Sequence, residues 1–446
     1  MAPYSTALKR EIGLLQATSI NMIDMVGIGP FILMPLVIKA VSSNLFLWAW
    51  VFGAATALID GMIWSELGAA YPLAGGSYNF LKEAYGRRGG PLMSFLFVWQ
   101  TCLLAPLVVA SGAIGFSHYF GYLVTLSPIE QKMVSGAVVI LVVFLLYRNI
   151  KIIGKISVLL GAGVILFIFW IIVSGLLHKQ VHYNAFASGD HSLFSFAFAM
   201  VIGHASVSTI YSYLGYYNVC HLGGEIKNPG RNIPRSIFIS IFGIAILYLF
   251  MNVSIVSVIP WQEAMESHFL VSSFMEKLYG TKAAMFATIL VLWIAFASLF
   301  AVMLGYSRVP YAAAIDGNFF PIFARLHPTK GFPYVSLIFI GSMGFILSII
   351  LELKPTVDAI LAMRILVQFV AQAVGVILLR KRNGTAKLPF KMWLYPLPVI
   401  VSVLIWLFVL FNTGKMALFG LLLAFGGVAV YYVMRIGKQK KIIQIQ

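Results

Sequence analysis

The sequence predicts an all-α membrane protein of about twelve transmembrane helices, and three observations carry that prediction. Hydrophobic residues make up 61% of the 446-residue chain and charged residues 10%, where a soluble domain carries about 25% charged residues. So much apolar surface cannot be hidden in a water-soluble fold, so lipid is the solvent. The apolar residues also fall into runs of spanning length, near 14–40, 44–70, 91–123, 131–149, 155–177, 196–222, 235–259, 283–307, 334–352, 356–379, 394–411 and 416–435. Spans of roughly 20–28 residues leave little chain for a soluble domain or linker, and 1–446 reads as one domain. Finally, with the N-terminus placed inside, the cytoplasmic segments hold 23 Lys and Arg and the external ones 7, with Arg364 inside a span completing the 31. That bias predicts a multi-pass cell-membrane protein with both termini cytoplasmic.

Taken in order, the runs differ in what interrupts them. Lys9-Arg10 leads into span 1 without a small-residue cleavage site, which reads as a membrane span and not a removed signal. Span 1 is broken near its middle by Met25-Val26-Gly27-Ile28-Gly29-Pro30. Span 2 carries Asp60 and, near its cytoplasmic end, Glu66, for which a structural or gating role is expected. Pro106 in span 3 is either a packing kink or part of a pocket wall. Span 5 holds no basic residue from Ile156 to Leu177. Span 6 is interrupted at Ser212-Tyr213-Leu214-Gly215-Tyr216, with His204 expected to be buried and hydrogen-bonded above the break. In span 8, Trp293 reads as helix packing or lipid contact; Ser298 reads as an interhelical hydrogen bond or a sodium ligand. In span 10, Arg364, Gln368 and Gln372 recur every four residues as one polar stripe. The basic cluster Arg435, Lys438, Lys440 and Lys441 reads as a stop-transfer anchor.

The two interrupted spans matter as a pair. Glycine weakens a helix, and proline removes an amide donor and clashes with the preceding turn. Spans 1 and 6 begin two successive five-helix sets, about 14–177 and 196–379, followed by extra helices at about 394–435. Five is odd, so the second set runs inverted. Breaks at matching positions of inverted repeats point to a transporter site. A broken helix exposes free amides at one stub and free carbonyls at the other; the amides suit a carboxylate and the carbonyls an ammonium. An α-amino acid has both.

At these residues the chain resembles the amino acid–polyamine–organocation (APC) family, whose members share the LeuT-type inverted-repeat fold. Gly27-Ile28-Gly29-Pro30-Phe31 stands where the family has its glycine-rich break. Trp64-Ser65-Glu66-Leu67-Gly68-Ala69-Ala70-Tyr71-Pro72 with Gly75-Gly76-Ser77-Tyr78 is similar to its signature after span 2. Gly224-Glu225-Ile226-Lys227-Asn228-Pro229 with Arg231-Asn232-Ile233-Pro234 matches its loop after span 6, and Asp316-Gly317 through Pro321 with Pro333-Tyr334 its segment after span 8. The resemblance implies amino acid or amine transport by alternating access. It implies a substrate site at Val26, Gly27, Ile28 and Gly29 and at Tyr211, Ser212, Tyr213, Leu214 and Gly215, with Tyr211 as an aromatic lid. Spans 3, 8 and 10 would line the side-chain pocket. Ile28 stands in place of a small hydroxyl residue, and Pro30 in place of an amide. The lysine that coupled relatives carry in span 5 is missing, so the coupling ion is left open between a proton and a sodium ion.

Asp24, Asp60, Glu66 and Arg364 lie inside spans, where a charge costs a few kcal/mol at least and needs a partner or a water path. Asp24 and Arg364 each fall about half-way through, at 1.5 Å rise per residue. Arg364 is expected to pair with Asp24 or Asp60, either as a structural lock or with the acid sensing a proton or a substrate amine. Asp24, Asp60, Arg364 and Ser298 are therefore the coupling or gating candidates. No cofactor and no metal site is expected: the eight histidines form no metal spacing, and Cys102 and Cys220 lie in apolar runs. The net charge of +17 is scattered in short clusters and forms no nucleic-acid surface. No catalytic motif or phosphate-binding loop is present, so an enzyme or ATP-driven pump is not expected. A secondary transporter of amino acids leads, ahead of a polyamine or organic-amine carrier and a nutrient sensor. The partners are a small-molecule substrate and the bilayer; the pattern sets no oligomeric state.

Overall fold

The computed structural model describes residues 8–180, 195–352, 360 and 363–443. Among them the regular structure is helical, without a strand ladder. Lys354 and the start of the span expected at 356–379 lie outside the described residues, as do the side chains of 435–443.

The chain begins with α1 (Leu14–Met25) and α2 (Gly29–Val41), which meet at a 46° bend. Then come α3 (Leu47–Ala70), α4 (Ser77–Phe120), α5 (Pro128–Leu146) and α6 (Ile150–Leu177). The second half holds α7 (Phe196–Tyr213), the four-residue α8 (Asn218–His221), α9 (Pro229–Val256), α10 (Trp261–Ala264), α11 (Leu270–Tyr279), α12 (Thr281–Tyr306), α13 (Arg308–Ile315) and α14 (Tyr334–Ile350). A π-turn at Ile365–Val370 leads into α15 (Ala371–Asn383), followed by α16 (Leu397–Asn412) and α17 (Lys415–Ile443). Among the described residues seven helices are long and apolar enough to cross a membrane, eight with the bent α1–α2 pair counted as one; α14 and α16 are apolar but shorter.

Local chemistry sets several boundaries. Ser127 caps α5, with Glu130 reaching back to its amide, and Asn149 caps α6. The helix expected from 91 starts at Ser77, because a short helical segment precedes the crossing one and Gly86, at φ +65°, joins the two across a kink. Pro106 lies inside α4 without ending it.

The two broken pairs pack together, α2 on α7 and α1 on α8, with α3, α6, α9 and α12 around them. The end where the chain begins is closed. Arg308 Nε and Nη2 donate to the two Glu225 carboxylate oxygens at 2.9 Å each, and both side chains are buried. The Glu11 and Ile12 amides donate to the Glu225 carbonyl, and the Lys227 amide to that of Ile12. Glu66 accepts from Arg380 and from the Met392 amide, and Lys82 pairs with Asp316.

Candidate functional site

The site is built by two chain breaks that face each other. After Met25 the chain leaves helical geometry at Val26, and Ile28 caps α2 with Pro30 in its first turn, where the missing proline amide costs nothing. The Gly27, Ile28 and Gly29 amides donate no hydrogen bond among the described residues. Opposite them α7 ends at Tyr213, Leu214 is extended, and Gly215 takes φ +122° before α8. The two breaks are fastened by Tyr248 of α9. Its hydroxyl donates to the Met25 carbonyl at 3.0 Å and sits 3.2 Å from the Ser212 carbonyl.

Between the breaks lies a cavity of about 320 Å3. Of the residues expected at the substrate, Gly27, Ile28, Gly29, Tyr211, Ser212, Leu214 and Gly215 line it. Val26 and Tyr213 do not. Val26 is fully buried, and Tyr213 turns away to pack on Trp50 and Tyr248. Among the coupling or gating candidates, Asp24, Ser298 and Arg364 line the cavity. A Cβ on Gly27 would stand 2.8 Å from Ser298 Oγ, so glycine lets α1 approach α12 here.

Asp60 is elsewhere. It accepts from Tyr216 Oη at 2.6 Å, Trp64 Nε1 at 2.8 Å, Ser402 Oγ at 2.9 Å and Trp406 Nε1 at 3.2 Å. Four donors satisfy a buried carboxylate without a cation, so the expected Asp60–Arg364 pair does not form. Nor is Arg364 in ion-pairing contact with Asp24 among the described residues. Asp24 accepts from Asn218 Nδ2 at 2.8 Å. Arg364 donates to the Tyr217 hydroxyl and has the Tyr306 ring 5.6 Å from its guanidinium.

Sequence reasoning missed Asn218, Tyr217, Tyr306 and Tyr248. Asn218 and Tyr217 follow the span-6 break directly, which was a usable signal; Tyr306 and Tyr248 gave none, being aromatic residues among many. From span 3 the wall takes Val108, Ser111 and Gly112, within the two turns after Pro106, which does not itself line the cavity. Trp293 packs, as read: its Nε1 donates to the Leu160 carbonyl at 3.2 Å. His204 departs from expectation. It is exposed and meets Asn412 at 3.2 Å. Gln372 accepts from Ser77. Among the described residues no group of three or more His, Cys, Asp or Glu is placed to hold a metal ion. A larger crevice of about 450 Å3, lined by Arg87, Arg88, Phe95 and Tyr431 among others, shares no residue with the breaks.

The family model for amino acid permeases matches residues 12–431. The serine/threonine exchanger SteT of Bacillus subtilis is 28% identical, over 98% of this chain and 99% of its own length. Asc-type amino acid transporter 1 of Mus musculus is 26% identical, over 97% of this chain and 82% of its own. Large neutral amino acids transporter small subunit 2 of Homo sapiens is 26% identical, over 96% and 81%. These relatives are transporters or exchangers, not enzymes.

Proposed function

Because this chain belongs to the amino acid permease family, we propose that it is a secondary active transporter, a symporter or exchanger, that moves α-amino acids across the cell membrane by alternating access. One observation carries the reading: three undonated amides at the start of α2 face the end of α7 across a cavity. Amides at a helix N-terminus receive the α-carboxylate. The ammonium meets the carbonyl end of α7 and the Asp24 carboxylate. The names of the relatives, all amino acid carriers, support the substrate class.

The finer architecture belongs to the same proposal. Twelve spans arranged as two inverted five-helix repeats plus two more helices account for the paired breaks, and the Lys and Arg bias favours cytoplasmic termini. In that orientation the cavity faces outward. Leu36 and Ser208, on the outer halves of the broken helices, border it, while Glu225 and Arg308 seal the cytoplasmic end. The coupling ion is part of the proposal too. Asp24 is the acid that lines the cavity and is the candidate to take a proton, whereas Ser298 would contribute to a sodium site. An Asp24→Asn protein whose uptake keeps the wild-type dependence on external pH rules out the proton role.

A polyamine carrier is the weaker reading, since Arg364 lines the cavity and a cation there repels a polycation. Purified protein in a thermal-shift screen tests the choice, because a ligand that binds the folded state raises its melting temperature. α-Amino acids are expected to stabilise it and spermidine is not. Stabilisation by spermidine alone, with no uptake of any amino acid into liposomes, refutes the proposal.

A further inference from the structure

The cavity contains a buried cation that the two ends of a zwitterion do not use. Arg364 is 4% exposed and lines the cavity. One nitrogen donates to the Tyr217 hydroxyl, and its Nε is buried with no acceptor among the described residues. Asp24, the acid lining the same cavity, is held by Asn218 instead. A phenol and an aromatic face are weak compensation for a guanidinium taken out of water; an anion is strong compensation. The backbone directly after Arg364 is a π-turn, an irregularity frequent at functional sites.

We propose that Arg364 receives a second carboxylate, carried on the substrate's side chain, so that the preferred cargo is an acidic α-amino acid. The inference rests on the reading above, in which the free amides take the α-carboxylate and Asp24 with the end of α7 faces the ammonium. Those anchors occupy both charges of the zwitterion, and Arg364 is left over. A planar guanidinium offers parallel donors that match a carboxylate and match a carboxamide poorly. Ile28, Leu33, Leu299 and Val302 supply apolar wall for the intervening methylene groups. A cavity of about 320 Å3 is larger than such a substrate needs.

The test compares L-glutamate and L-aspartate with glutamine and asparagine, their near-isosteric neutral amides, on the purified full-length protein. Competition for binding and thermal shift are the readouts. The acids are expected to bind about tenfold or more tightly than the amides, because a buried donor left unpaired penalises the wrong side chain. Arg364→Gln is expected to erase that preference, and Arg364→Lys to retain part of it. Amides that bind the wild type as well as the acids overturn the role of Arg364 while leaving amino acid binding in place. Binding by no amino acid at all overturns both readings. An Arg364→Gln protein that still prefers the acids also overturns the role, and the wild-type comparison decides alone where that variant does not fold.

Discussion

At Gly215 the backbone takes φ +122°, and a Cβ there would lie 2.7 Å from the Met25 amide nitrogen and 2.9 Å from the Asp24 carboxyl carbon. Conformation and space both demand glycine, and the neighbours are the other broken helix. Gly215→Ala is therefore expected to cost at least roughly 1–3 kcal/mol from backbone strain and to abolish uptake, because it separates the two breaks. A variant with unchanged melting temperature and transport would disprove this. The two intramembrane acids should respond differently to neutralisation. Asp60→Asn turns an amide group toward donors that need acceptors, at a cost of about 1–3 kcal/mol. It should lower the melting temperature and leave the pH profile of uptake alone, whereas Asp24→Asn should alter that profile. Matching effects from both variants would remove the distinction between a structural and a functional acid. Sequence made Gly27, Gly29 and Gly215 legible, since glycine stands out in an apolar run. It did not reveal that Val26 and Tyr213 face away, because the direction of a side chain at a break depends on dihedral angles that no periodicity encodes. The Asp60 partners were hidden for another reason. Only Trp64 is one turn away; Tyr216 comes from the break after α7, and Ser402 and Trp406 from α16.

Among elements, the loop after α8 does more than connect. Its Glu225 accepts a bidentate pair from Arg308 while its backbone holds the segment before α1. Sequence resemblance marked Glu225 within a loop pattern but not its partner, because Arg308 follows α12, 83 residues on. Removing one member of a buried pair strands the other charge, at about 3–5 kcal/mol. Glu225→Gln should thus loosen the sealed end and favour the state open to that side. Cys220, buried in α8 close by, provides the readout. Its modification by a maleimide should rise severalfold in the variant, read peptide by peptide against the half-buried Cys102. Protection equal to wild type would mean that the pair is not a latch. The start of α4 teaches a related lesson about boundaries. Hydropathy detects the crossing portion of a helix. The short helical segment from Ser77 to Gly86, although Ser77, Tyr78, Phe80 and Leu81 are buried, carries Asn79, Lys82 and Glu83 and is too polar to register.

Across the whole molecule, hydropathy finds apolar helices equally well wherever they sit, and so cannot separate central ones from peripheral ones. The last two helices show why that matters. Both were expected simply as additions to the repeats, yet α16 is tied into the centre and α17 is not. Ser402 and Trp406 of α16 supply two of the four donors to Asp60. Trp406 is fully buried, with its ring 3.8 Å from that of Phe369 and nearly parallel to it. On α17, by contrast, Phe425 is 69% exposed, and in a membrane that surface meets lipid tails as apolar as itself. Trp406→Ala should therefore cost about 3–5 kcal/mol, the range for truncating a buried aromatic core residue, with the added loss of a donor to a buried carboxylate. Phe425→Ala should stay within about 0.5 kcal/mol, as for a surface site away from special features. Denaturant unfolding in detergent measures both. Comparable losses would mean that α17 is as much a part of the core as α16, or that its exposed face is covered in the folded assembly. A large loss confined to Trp406→Ala would establish α16 as a fixed support for α3 and the Asp60 network, against which the broken helices can move.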